Sequence, residues 1–527
     1  MRIISTLLLL CFLSACAAPT ATPISPTSLP ATPTVSNFAS RDTLTGDWLG
    51  AGTKPDGSTV SIQINFADSE AKLSIEPQTK TWGVTVTQSN EAIEFTAVGG
   101  TSDPFKQIEF TGTFVNGVFS GELNWDGTTS LISFTPIVSV DESVLTKYEG
   151  LYRFESGRSL SIIVSPEFES GGLRFFSQSL MLTDFESGAL RGLYPVDDST
   201  FLIGALRVVG APFDGRIQFV KDDQGNVKGL LWWETPNDLL SSPVPSFYAS
   251  RVSYTYEDVP FTSVDGIKLM GRLSLLESNT LLPAFMMLHG SEQGTRDNFG
   301  NKVMAHYMLS RGFAILNYDK RGVGESEGVY QEAASASNLQ KIAEDAIAGV
   351  EYLASRQEID AKRIGLIGFS QAGWVIPLAA SQSEAISHVV ILSGPVASTS
   401  QEDAFSTYTN DGDSARNYDD AKITQRLRGL NPGGFDPLPV ITGLTQSGLW
   451  LWGSVDKSVP ATFSAENLQS LIDSGKNNFS YEIFPNGDHN LNESPHGLFA
   501  EIPYSPGVLF YSPLAEWLEL NMSALKE

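Results

Sequence analysis

From about Thr43 to Arg251, apolar and polar positions alternate in short runs with Gly, Asp and Asn between them. Val60-Ser61-Ile62-Gln63-Ile64-Asn65-Phe66 and Ile108-Glu109-Phe110-Thr111-Gly112-Thr113-Phe114 are examples. Period two broken by frequent turn residues predicts antiparallel β structure. Gly46-Asp47-Trp48-Leu49-Gly50 and Tyr148-Glu149-Gly150-Leu151-Tyr152 begin alike, each running into a turn and an alternating strand. The region therefore divides near residue 140 into two β domains, 43–140 and 141–251, with one larger barrel or sandwich as the competing arrangement. Trp48, Trp82, Trp125, Trp232 and Trp233 either fill β cores, the commoner use of such rings, or line a groove for glycan or lipid.

Beyond residue 252 the period changes. Val264 to Leu269 predicts a hairpin turn. Pro283 to Leu288 is a buried strand ending in His289-Gly290-Ser291, and Phe313 to Asn317 is another, ending in Tyr318-Asp319-Lys320-Arg321-Gly322-Val323-Gly324-Glu325-Ser326. Leu339, Ile342, Ala343, Ala346, Ile347 and Val350 share one face of a helix, with Ser337 and Gln340 spaced as a capping box. Further strands are predicted at Ile364 to Ile367, Val389 to Leu392, Leu449 to Trp452 and Phe479 to Phe484. This alternation of strand and helix predicts a mostly parallel, doubly wound sheet over 252–527. The polar stretch 397–440, broken by Gly and Pro, interrupts it as a cap carrying Phe405, Tyr408 and Tyr418.

A chain of 527 residues has room for two or three domains. Met1-Arg2 and the apolar run Ile3 to Leu13 form a secretory signal too short to span a bilayer. Leu13-Ser14-Ala15-Cys16 resembles the lipobox of bacterial lipoproteins, which implies cleavage before Cys16 and lipid on its sulfur; an ordinary signal cut nearby is the alternative. Residues 17–42, rich in Pro, Thr, Ser and Ala, form a disordered linker. The expected location is thus a bacterial cell envelope, with the membrane met only through that lipid. The chain has two cysteines, Cys11 and Cys16, so the folded part holds no disulfide and no thiolate metal site. A net charge of −26 from 34 basic and 60 acidic residues argues against nucleic acid as a partner.

The chemistry lies in the last domain. Gly368-Phe369-Ser370-Gln371-Ala372-Gly373 follows an apolar strand and opens a helix, which resembles the nucleophile elbow of α/β-hydrolases with alanine where the G-x-S-x-G form has glycine. The His-Gly turn at 289–290, the Asp-x-Arg-Gly-x-Gly-x-Ser loop at 319–326 and Asp456-Lys457-Ser458-Val459-Pro460 strengthen the likeness. The domain is similar to bacterial esterases and to prolyl-oligopeptidase-like and serine-aminopeptidase-like catalytic domains. The preceding β units resemble, in pattern only, small lipocalin-like modules.

A serine hydroxyl needs a base, and the base needs an orienting carboxylate. The superfamily order Ser, acid, His, each after a strand, selects Ser370, Asp456 and His489. His496 is the rival base. Asp488 reads as a turn residue, and Asp319 and Arg321 as a structural ion pair or turn. The backbone N–H groups of Ser291 and Gln371 would form the oxyanion hole, with His289 holding the turn. No metal or cofactor is called for.

The leading expectation is a serine hydrolase that cleaves a small carboxylic ester through an acyl-enzyme, its activity rising through about pH 6.5, the ordinary histidine value. A serine peptidase acting on short peptides is the first alternative. A seven-bladed propeller at about 40–45 residues per blade would not fit in the β region. A non-catalytic, ligand-binding lipoprotein is the other alternative.

Overall fold

The computed structural model describes residues 44–522, apart from 58, 68–69, 76–79, 90, 116–117, 165–179, 205–214, 235–244, 413–419 and 499–506. The signal segment 1–16 with Cys16, the linker 17–42 and Tyr418 lie outside the described residues.

Two closed antiparallel barrels come first. The first is built from β1 (Gly46–Thr53), β2 (Thr59–Phe66), β3 (Ala71–Ile75), β4 (Thr81–Ser89), β5 (Ala92–Val98), β6 (Gln107–Val115), β7 (Val118–Trp125) and β8 (Thr128–Pro136), each paired with the next. It closes where Trp48 and Leu49 pair with Pro136 and Thr135. Alternate residues point inward, as period two demands, and rings fill the interior: Phe95 stacks on Phe110 at 4.9 Å and Phe119 on Phe134 at 4.5 Å.

The second barrel comprises β9 (Gly150–Phe154), β10 (Ser159–Val164), β11 (Leu180–Asp184), β12 (Leu190–Pro195), β13 (Thr200–Gly204), β14 (Gly215–Lys221), β15 (Val227–Trp233) and β16 (Phe247–Arg251), which returns to pair with β9. Tyr148 stacks on Phe219 at 3.9 Å inside it. The two similar sequence openings are the first strands of the two barrels and their approaches. All five β-region tryptophans named above are buried, so they are core residues and not a groove lining.

The barrels touch through Leu49 and Ile137 of one and Tyr194, Val196 and Leu202 of the other. The second barrel also packs on the last domain. Its Leu151, Ile163, Met181 and Phe185 belong to one apolar cluster with Val303, Tyr307 and Met308.

The last domain is an eight-stranded sheet of β17 (Tyr254–Thr262), β18 (Lys268–Leu276), β19 (Leu282–Leu288), β20 (Ala314–Tyr318), β21 (Ile359–Phe369), β22 (His388–Leu392), β23 (Ser447–Gly453) and β24 (Phe479–Phe484). Their order is β17-β18-β20-β19-β21-β22-β23-β24, antiparallel across β17, β18 and β20 and parallel from β20 to β24. This is the α/β-hydrolase arrangement.

After a short α1 (Glu142–Leu145) between the barrels, the helices are α2 (Phe299–Ser310), α3 (Ala336–Ala354), α4 (Ala372–Ala380), α5 (Thr399–Thr409), α6 (Asp420–Arg428), α7 (Leu438–Gly443), α8 (Ala461–Asp473) and α9 (Tyr511–Met522). Strand residues alternate between two cores. Ala284, Met286 and Leu288 meet α3, α4 and α8, whereas Phe285 and Met287 meet α2 and α9. A sheet buried on both faces in this way must be apolar at consecutive positions.

The start of α3 differs from the sequence expectation. Ser335, not Ser337, is the N-cap, its hydroxyl accepting from the Asn338 N–H, while Gln340 reaches Glu344 and Gln382. Ser335 prevails because Asn338 also ties its side chain back to the Gln331 and Ala333 carbonyls, fixing the turn before the helix. The capping box occurs instead on α5, between Ser398 and Gln401.

Candidate active site

β21 ends in the turn that carries Ser370, whose φ of 52° lies in the left-handed region. That conformation costs a serine about 1 kcal/mol or more and is held by its surroundings. The Ser370 N–H donates to Leu392 O at 3.0 Å and the Gly373 N–H to Ser370 O at 2.8 Å. A Cβ on Gly368 would stand 2.6 Å from the Ala372 methyl, and one on Gly373 would stand 2.7 Å from the Gly394 backbone. Alanine at 372 is therefore accommodated by Gly368, and the position that must lack a side chain is Gly373, against β22's outgoing loop.

Asp456 follows β23 and His489 follows β24. The carboxyl ends of β21, β22, β23 and β24 lie along one edge of the sheet, which gathers the three residues from distant parts of the chain. His489 Nδ1 and Asp456 Oδ2 are 2.9 Å apart. Asp456 Oδ1 accepts from the N–H groups of Ser458 at 2.8 Å and Val459 at 2.9 Å. Because a carboxylate only accepts, Nδ1 must donate, and Nε2 is left as the ring nitrogen that can take a proton. No hydrogen bond joins Ser370 Oγ to His489 Nε2 among the described residues; in free hydrolases such bonds commonly tighten only with substrate bound.

Burial by itself would lower the His489 pKa, but the charge and hydrogen bond of Asp456, with the charges of Asp411 and Asp488, lift it to about 8. The expected midpoint of activity moves up accordingly from 6.5. Asp411 had no signal in the sequence. It sits at a left-handed turn after α5, φ 50°, and accepts from Ser458 Oγ at 2.5 Å, so the cap is pinned to the loop of Asp456. Beside it Glu402 of α5 is pushed up to about 8, chiefly by burial and then by Asp403 and Asp411.

The other candidates resolve individually. His496 is exposed, and the carboxylate of Asp456 is taken by His489. Asp488 accepts from the N–H groups of Asn490 and Asn492 and so shapes the turn before them. His289 Nε2 lies 2.6 Å from Tyr318 O, holding the turn after β19. Asp319 and Arg321 do not pair with each other: Asp319 holds Arg296 and the Glu325 N–H, while Arg321 binds buried Asp345 and Asp265. The loop after β19 lies against the nucleophile, since a Cβ on Gly290 would be 3.3 Å from Ser370 Cβ. The Ser291 and Gln371 N–H groups donate to no acceptor among the described residues.

Residues 301–501 match the prolyl oligopeptidase family model. Thiohydrolase aneE of Aspergillus aculeatus is 36% identical over 123 residues, which are 23% of this chain and 35% of that protein. Human dipeptidyl peptidase 8 is 27% identical over 184 residues, 33% of this chain and 20% of that one. Polyketide transferase claH of Penicillium crustosum is 28% identical over 158 residues, 28% of this chain and 47% of that one. The chain thus spans less than half the length of each curated relative. The solved esterase Pf2001 of Pyrococcus furiosus aligns with TM-score 0.37 at 21% identity, over 51% of this chain and 92% of that one. With its sheet order, its strained serine turn and this family match, the carboxy-terminal domain is an α/β-hydrolase domain of the serine-hydrolase kind.

Proposed function

We propose that this serine hydrolase cleaves carboxylic esters. Ser370 attacks the carbonyl, His489 takes its proton at Nε2, and Asp456 holds the imidazole in that tautomer. The N–H groups of Ser291 and Gln371 receive the oxyanion, whose collapse breaks the bond to the alcohol. The alcohol leaves with the proton from His489, which, neutral again, activates water to release the acyl group as the acid. The observation that carries this reading is the fully used Asp456 carboxylate, with one oxygen on His489 and the other on two backbone N–H groups.

The preference for esters rests on architecture. The β region is two closed barrels with ring-filled interiors, and the turn after α5 is tied to the loop of Asp456 through Asp411 and Ser458. The match to the prolyl oligopeptidase family favours a second reading, hydrolysis of short peptides. A panel of short-chain nitrophenyl esters and aminoacyl anilides, run beside a fluorophosphonate probe with the adduct located by mass spectrometry, separates these readings. Ester turnover with an adduct on Ser370 is expected. Anilide turnover alone would make the protein a peptidase. Neither turnover nor adduct would favour the ligand-binding alternative.

From the lipobox-like Leu13-Ser14-Ala15-Cys16 we further propose that the enzyme is lipid-anchored at Cys16 in a bacterial cell envelope. Replacement of Cys16 by alanine should move the protein from the membrane to the soluble fraction.

A further inference from the structure

A tetrahedral intermediate needs two N–H donors held at fixed positions before the reaction begins. In this site they come from two separate segments, the loop after β19 and the first residue after Ser370. One side chain joins the two. Lys320, in the loop after β20, is 1% exposed. Its Nζ donates to Gly290 O at 2.6 Å, to Gln371 Oε1 at 3.1 Å and to Glu292 O at 3.5 Å. Its own N–H donates to Gly294 O at 3.0 Å.

The first of these bonds bears directly on the chemistry. Gly290 C=O and Ser291 N–H belong to one planar trans peptide and point in opposite directions. A cation on the carbonyl fixes which way the N–H points and polarises it. The second bond grips the side chain of Gln371, the residue whose backbone N–H is the other donor. We propose that Lys320 is the positioning residue of the oxyanion hole, clamping its two arms in register from behind.

The surroundings fit that role better than a structural one. All three acceptors of the ammonium are neutral oxygens, and no ion pair to Lys320 occurs among the described residues. Removing an ammonium from water without a carboxylate partner costs several kcal/mol. Burial pushes Lys320 down to about 8, with the charge of Glu292 offsetting part of it, and the Tyr330 ring covers it at 5.5 Å. Tyr330 and His289 also hold the loop after β19, through Ser291 O and Tyr318 O. Of these side chains only Lys320 also hydrogen-bonds Gln371.

This inference rests on the proposed hydrolase reading, and its test separates the two. Lys320→Met keeps the apolar stem and removes the charge. The expected result is a kcat about 10²–10³-fold lower with KM unchanged within about twofold, the loss typical of one missing oxyanion donor. A trifluoromethyl ketone, which forms the tetrahedral oxyanion on Ser370, should lose affinity by the same factor. A merely structural lysine would lower the amount of folded enzyme, or raise KM, without linking kcat to the analogue. A folded Lys320→Met variant with wild-type kcat, or one whose KM alone rises, overturns the inference and leaves the hydrolase reading standing. Should that variant not fold, Gln371→Leu removes one leg of the clamp from the opposite side. A kcat loss of about tenfold at constant KM then supports the inference, and an unchanged kcat overturns it. A wild-type protein inert toward both esters and probe would instead overturn the hydrolase reading itself.

Discussion

Asp456→Asn changes one atom and should nearly abolish turnover, for a reason readable in the hydrogen bonds. Oδ1 of Asp456 is committed to the N–H groups of Ser458 and Val459. An asparagine there keeps its carbonyl oxygen on those donors and turns its NH₂ toward His489. The imidazole must then accept at Nδ1 and carry its proton on Nε2, where it cannot take one from Ser370. The substitution also removes the charge and hydrogen bond that do most to oppose burial, so the His489 pKa should drop from about 8. At neutral pH the loss in kcat should be about 10³–10⁴-fold, or roughly 4–5.5 kcal/mol of barrier, while KM stays near wild type. Rates of nitrophenyl ester hydrolysis from pH 5 to 9 measure both effects. A variant within tenfold of wild type, its inflection still near pH 8, would refute the assignment of Asp456 and the tautomer argument with it.

Four further outcomes follow from the same geometry. In the wild-type enzyme kcat/KM should rise with pH through an acid limb centred near 8, because His489 must be neutral to act as base; a profile flat from pH 6 to 8 would exclude it from that role. Gly373→Ala should destabilise the hydrolase domain by about 1–3 kcal/mol in chemical denaturation, since the clash at 2.7 Å is with backbone; an unchanged midpoint would mean the elbow can open. Arg321→Met should cost about 3–5 kcal/mol by stranding the buried carboxylate of Asp345, a loss that Asp345→Leu in the same chain should largely restore. His306 is held by Ser161 and Tyr254 and depressed to about 3, chiefly by burial. Its unfolded form therefore binds a proton that the folded form does not, so stability should fall as pH drops below 6.5, an effect a His306→Gln variant should lack.

The positions of Ser370, Asp456 and His489 were legible because each stands at or within a few residues of the end of a strand whose apolar run is unmistakable, at the edge where a parallel sheet exposes its loops. The sequence carried the β region because period two survives in barrels whose insides are rings. It could not show that Ser335 outcompetes Ser337 as a cap, since the deciding bonds come from Asn338 to residues before the helix. Asp411 and Lys320 were hidden for a related reason. Each owes its role to residues remote in the chain, at 458 for one and at 290 and 371 for the other, and a local motif records no such partner.

The seam between the second barrel and the hydrolase has its own consequence. Phe185 of the barrel side packs on Tyr307 at 5.3 Å and on Tyr511 at 5.1 Å, and Arg153 donates to Ser310 O at 2.8 Å, capping the end of α2. The sheet's α2 face is thus finished by residues that precede the hydrolase domain in the chain. A gene fragment beginning at Val252 would uncover the sides of Tyr307 and Tyr511 that the barrel packs on, and its product would be sticky rather than idle. The second barrel is thus masonry for the hydrolase domain, a wall of its core, whereas the first leans on that wall through Leu49 and Ile137.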